Sequence, residues 1–120
     1  MIWTSQLDDA KWRSEPFPYS EFRSPAELRL PPRRWQRVEE SRFPVVCYDL
    51  TVPNQPRIYL FVIRSQPTFR GPLLPPISPD HDTRNWCLGV WAGQGGLYAV
   101  AVEGDRERYQ WLIRATLQFA

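Results

Sequence analysis

Residues Asn85–Glu103 read Asn-Trp-Cys-Leu-Gly-Val-Trp-Ala-Gly-Gln-Gly-Gly-Leu-Tyr-Ala-Val-Ala-Val-Glu. Two runs rich in apolar, aromatic and β-branched residues flank a glycine-rich turn, which is the pattern of an antiparallel hairpin. In the first run Trp86, Leu88 and Val90 alternate with Cys87, Gly89 and Trp91; in the second Tyr98, Val100 and Val102 share a face. Ala92-Gly93-Gln94-Gly95-Gly96 turns the chain, glycine giving access to positive φ. The glycines do not form a phosphate loop, because no Gly-Lys-Ser/Thr follows and no Gly-x-Gly-x-x-Gly opens a helix. The rest of the chain either packs on this hairpin or leads into it.

Two further strands precede it. Phe43–Thr51 places Val46, Tyr48 and Leu50 on one side and Val45, Cys47 and Asp49 on the other. Arg57–Ser65 contains Ile58-Tyr59-Leu60-Phe61-Val62-Ile63, apolar on both faces, so it belongs in the middle of a sheet covered on both sides. The link Val52-Pro53-Asn54-Gln55-Pro56 is short and proline-bounded, which predicts an antiparallel pair. Arg34–Ser41 alternates weakly and reads as an edge strand. Its basic residues Arg33, Arg34, Arg37 and Arg42 lie among Glu39 and Glu40, the composition of a solvated face.

After the hairpin, Asp105 is a good N-cap for a helix over Arg106–Gln118. Tyr109, Leu112, Ile113, Thr116 and Leu117 fall on one face of that helix at i, i+3, i+4, i+7 and i+8. The expected fold is therefore α+β, an antiparallel sheet of four or five strands with the C-terminal helix packed on one face. One domain over residues 1–120 follows from the length. Residues 34–118 form its core, and residues 1–32 form an N-terminal arm with short helical pieces. One such piece starts at Ser5 as N-cap and another at Ser24-Pro25. A mobile arm over the first twenty residues is the alternative, opposed by the exposure it would force on Trp3, Trp12, Phe17 and Tyr19.

Gln66–Arg84 holds Pro67, Pro72, Pro75, Pro76 and Pro79, so no regular element fits it. Its tip is expected to be cut first by trypsin, near Arg70 or Arg84. It carries the sole histidine in Asp80-His81-Asp82, which reads as a hydrated turn, with no spaced partner for a metal. Cys47 and Cys87 make no metal motif. With strands in sequence order, the Arg57–Ser65 strand separates these cysteines by two steps, about 9–10 Å. That exceeds what a disulfide spans, so both stay reduced.

Net charge is +2, which lacks the concentrated basic face of a nucleic-acid binder. Fourteen of the fifteen basic residues are Arg, read as coding bias. No run approaches the ~20 apolar residues of a membrane span. Met1-Ile2-Trp3-Thr4 lacks the basic and apolar regions of a secretory signal.

Several short motifs, taken together, resemble a known family. They are Val45-Val46-Cys47-Tyr48, then Leu60-Phe61-Val62, then Trp91…Gly95-Gly96-Leu97-Tyr98, then Glu103-Gly104-Asp105-Arg106-Glu107. Over roughly residues 34–117 this pattern is similar to the C-terminal extracytoplasmic domain of transmembrane anti-sigma factors. In that family a Leu-Phe-Val strand precedes a Trp-x-x-Gly-Gly-x-x-Tyr hairpin and a terminal helix. The family's sigma-binding His-x-x-x-Cys-x-x-Cys motif and its membrane helix are not in this sequence. The resemblance thus implies the sensing or interaction half, extracytoplasmic and tethered through a segment outside these residues, and it would permit a disulfide. Without the resemblance the chain reads as cytoplasmic.

The functional expectation is a non-enzymatic sensor or protein-interaction domain with a protein partner, no nucleic acid and no cofactor. One alternative is a small-ligand binder with an aromatic cleft under the proline-rich segment, walled by Trp86, Trp91 and Tyr98. The other is a small enzyme, whose best set would be Cys47 or Cys87 with His81 and an Asp.

Overall fold

The computed structural model describes residues 4, 6–15, 32–38, 44–64, 75–83, 85–93 and 96–116. The strands are β1 (Arg34–Arg37), β2 (Val45–Asp49), β3 (Ile58–Ile63), β4 (His81–Asp82), β5 (Trp86–Gly93) and β6 (Gly96–Glu103). Helix α1 spans Arg106–Thr116. The fold is α+β: one antiparallel sheet with a C-terminal helix. Its order is β1-β2-β3-β6-β5-β4, five strands of four or more residues plus the two-residue edge β4.

The strand order corrects the sequential expectation. β6, not β5, pairs with β3, from Ile58↔Val102 to Ile63↔Leu97. Two physical reasons account for this. Ala99–Val102 of β6 is fully buried, whereas Trp86 and Val90 of β5 are half-buried, so the more apolar arm takes the centre. The long link between β3 and β5 also returns the chain to the starting end of the sheet. β5 then runs parallel to β3, and β6 fits antiparallel between them.

β3 is buried along its whole length, as its two apolar faces require. Alternation sorts the core into two layers. Val46, Tyr48, Leu50, Leu60, Val62, Cys87, Trp91, Val100 and Val102 join Tyr109 and Ile113 of α1 on one face. Val45, Cys47, Tyr59, Phe61, Ile63, Leu88, Ala99 and Ala101 make the other, with Leu7, Trp12 and Trp86 packed against them. Leu112 sits at the margin of the first layer; the side chain of Thr116, and Leu117, lie outside what is described.

Local chemistry fixes the joints. Pro53 and Asn54 (φ 65°) turn β2 into β3, closed by Gln55 N donating to Val52 O at 3.0 Å. Gly104 at φ 127° lets the chain leave β6. Asp105 caps α1 by accepting from Arg108 N at 2.9 Å, as its position predicts. Gly93 pairs with Gly96, leaving residues 94 and 95 between the hairpin arms.

Asp80-His81-Asp82 is not a hydrated turn. His81 and Asp82 pair with Leu88 and Cys87 as β4, and the Asp80 carboxylate accepts from Val90 N at 2.7 Å. The outer edge of β5 would otherwise present bare donors to water or to another chain. Residues 65–74 and 84, which include both expected trypsin sites, lie outside what is described, as do residues 16–31 and 39–43.

Both cysteines are free and buried. They stand three strand steps apart, about 14 Å, and on opposite faces of the sheet. The reduced state therefore follows from a wider separation than the sequential order implied. Titration of denatured, unreduced protein is expected to find two thiols per chain. A monomer with none would contradict this strand order.

Candidate functional site

Each face of the sheet carries an aromatic group. On the helix side, Trp91 and Tyr98 are cross-strand partners with stacked rings, centroids 5.4 Å apart at 29°. Trp91 is 0% exposed, and its indole N–H has no hydrogen-bond partner among the described residues. Tyr48 lies on the same face, and burial pushes its phenol up to about 12. Tyr109 of α1 donates its hydroxyl to Pro76 O at 2.8 Å, which pins the proline-rich segment to the helix. Burial raises that phenol well above its ordinary value.

The opposite face carries a longer array. Arg57 Cζ lies 5.1 Å from the Trp86 ring centroid. Trp86 stacks on Tyr59 at 5.8 Å, and Tyr59 stacks on Trp12 at 5.7 Å. Arg34 Cζ closes the row 4.6 Å from the Trp12 ring. Three aromatic rings thus lie between two guanidinium groups, each end attracted by the ring quadrupole. A carboxylate anchors each arginine. Arg57 Nη2 meets Glu103 Oε2 at 2.7 Å, and Arg34 Nε meets Asp49 Oδ2 at 2.7 Å.

Asp49 is 2% exposed. Burial alone would push its carboxyl up, but Thr51 N on Oδ1 and Arg34 on Oδ2 outweigh it, so the carboxyl sits below its ordinary value. A depressed folded-state value means that the stabilisation is present above the unfolded value of ~3.9 and is lost as pH falls through the folded one. The stability difference between wild type and Asp49→Asn is therefore expected to shrink as pH drops from about 6 to about 3. A constant difference in urea titrations across that range would contradict this.

Residues 6–15 run across this second face. Asp8 caps the 3-10 turn Asp9–Lys11 by accepting from Ala10 N at 3.0 Å. This turn stands in the region where a helix starting at Ser5 is expected. Arg13 and Trp35 exchange two backbone hydrogen bonds at 2.8 and 2.9 Å, and Trp35 Nε1 donates to Glu15 O at 2.7 Å. The described part of the arm is thus packed on the sheet.

The three aromatic residues singled out in the sequence do not share a cleft. Trp91 and Tyr98 lie together on the helix side, and Trp86 lies on the other face. The cysteine set does not assemble either. Cys47 and Cys87 face opposite layers, and Asp82 is the register partner of Cys87 while His81 is that of Leu88. Burial raises both thiols, with the Asp82 and Asp105 charges adding to the effect at Cys87, so neither is an activated nucleophile. Among the described residues no three His, Cys, Asp or Glu side chains are grouped to hold a metal. No helix there is long and apolar enough to cross a membrane.

Comparison of the chain with protein-family models, with curated proteins and with solved structures finds no match.

Proposed function

We propose that this domain is a non-enzymatic sensor or protein-interaction module, similar to the extracytoplasmic part of a membrane anti-sigma regulator. The observation that carries this reading is the juxtaposition of its distant motifs. Val62 of Leu60-Phe61-Val62 pairs with Tyr98, and Tyr98 pairs with Trp91 across the glycine turn. One residue from each of these motifs, Val62, Tyr98 and Trp91, thus lies in a single row across three neighbouring strands, and the terminal helix follows β6.

The small-ligand alternative loses support because Trp86 lies on the face opposite Trp91 and Tyr98. The enzyme alternative loses support because both thiols are buried on separate faces.

Expression of residues 1–120 alone in the cell of origin tests the proposal, because the domain would compete for whatever engages the intact regulator. The expected result is a coordinated change in the transcripts of one promoter class. An unchanged transcript profile would count against the reading. So would a thermal shift of about 4 °C or more with a single metal or metabolite, which would favour a ligand binder.

A further inference from the structure

We propose that the outer edge of β1 is a receptor for an extended peptide segment of a partner protein, and that residues 6–15 are its built-in competitor. The proposal rests on the interaction reading above and names the surface and the class of partner.

The hydrogen bonds that join residues 6–15 to β1 use the main chain of the segment. Arg13 N donates to Trp35 O and Trp35 N donates to Arg13 O, an isolated antiparallel bridge on the side of β1 away from β2. Beside it, the Gln36 side chain clamps one residue's backbone. Its Oε1 accepts from Asp8 N at 3.1 Å and its Nε2 donates to Asp8 O at 3.2 Å. Gln36 is 2% exposed, so its amide would be stranded without such a partner. An edge that binds backbone donors and acceptors takes an extended chain of almost any sequence, which is the basis of β-strand addition.

One slot reads a side chain. Trp12 lies between the Tyr59 ring and the Arg34 guanidinium, immediately before the paired Arg13. Stacking on one side and a cation on the other select an aromatic residue. The fitting partner is therefore an extended segment with an aromatic side chain next to its paired position.

The resident segment is poorly satisfied in this site. Among the described residues its pairing with β1 is one residue long, and towards its start the chain turns through Asp9–Lys11 instead of continuing as a strand. Among the described residues, three buried side-chain polar atoms have no hydrogen-bond partner, and two of them, Gln6 Oε1 and Trp12 Nε1, belong to this segment. A buried polar atom without a partner destabilises the bound segment. Release of the segment leaves the β1–β2 ladder from Arg34↔Asp49 to Arg37↔Val46 in place. A strand that satisfies its own polar groups can thus displace it while β2 still holds Arg34–Arg37.

The test is a titration of the full chain with a synthetic peptide of the sequence Gln-Leu-Asp-Asp-Ala-Lys-Trp-Arg-Ser-Glu, blocked at both ends. Trp12→Ala weakens the internal competitor, so this variant is expected to bind the peptide at least about ten-fold more tightly than wild type. N-methylation of the peptide's Arg amide, which removes the donor to Trp35 O, is expected to abolish binding. Equal affinity for both proteins, or binding indifferent to N-methylation, would overturn the proposal. Should Trp12→Ala fail to fold, hydrogen exchange on wild type decides. The Trp35 amide is expected to exchange at least about a hundred-fold faster than the Phe61 amide, and equal protection would overturn the proposal. A dimer in light scattering, lost on mutation of Trp12, would assign the site to a second copy and overturn the choice of partner. A natural partner that binds wild type and Trp12→Ala alike would overturn this edge as the receptor while leaving the interaction reading intact.

Discussion

Trp91→Ala is expected to destabilise the domain by about 3–5 kcal/mol, and Trp86→Ala by clearly less. Trp91 is fully buried in the layer under α1, with Tyr98 stacked against it. Truncation removes most of its apolar area from the core and leaves a cavity that strands on both sides cannot collapse into. Trp86 is half-buried, with the Arg57 guanidinium over its ring, so water can refill the space. Urea titration of the two variants, read as a shift of midpoint at constant slope, measures the difference. A change below about 1 kcal/mol for Trp91→Ala would mean that its ring lines an open cleft, and the aromatic-pocket alternative would regain its ground.

The contrast between these tryptophans is legible in the sequence. Strand periodicity is two, so Trp86 and Trp91, an odd number of residues apart, must face opposite sides of the sheet. A cleft walled by both therefore conflicts with the alternation in the same run. The central place of Ile58–Ile63 and the Asp105 cap were equally legible, because each depends on local pattern alone. Strand order was not, because hydrophobic alternation fixes faces and says nothing about neighbours. The one available signal was length: the link from Ile63 to Trp86 is far too long for a hairpin and long enough to cross the sheet. The β4 pairing was hidden by prolines, which mark Pro75–Pro79 as irregular without touching Asp80–Asp82. The guanidinium–aromatic row was hidden for another reason. Trp12 signalled by its size that residues near it fold back, but its contacts with Tyr59 and Arg34 depend on a segment whose path no local rule sets.

Tyr109→Ala is expected to cost about 3–5 kcal/mol, comparable to loss of a buried aromatic ring, and Gly89 explains why this residue dominates the docking of α1. Tyr109 is fully buried, and its hydroxyl reaches Pro76 O. It passes so close to β5 that a Cβ built on Gly89 would overlap the Tyr109 hydroxyl. Glycine is thus required at position 89 by the approach of the helix, not by its own backbone angle. Gly89→Ala should cost about 1–3 kcal/mol through overpacking. Tyr109→Phe alone removes one part-buried hydrogen bond, worth about 0.5–1.5 kcal/mol. In the double variant the overlapping oxygen is gone, so the two losses should sum to more than the double variant shows. Recovery is partial, because Tyr109 Cζ would still lie 2.9 Å and Pro76 Cγ 3.1 Å from the new methyl group. Additive losses in a double-mutant cycle would show that α1 does not press its Tyr109 side chain against Gly89. The ring and the strand would then be held apart, and the helix would owe its place on the sheet to Ile113.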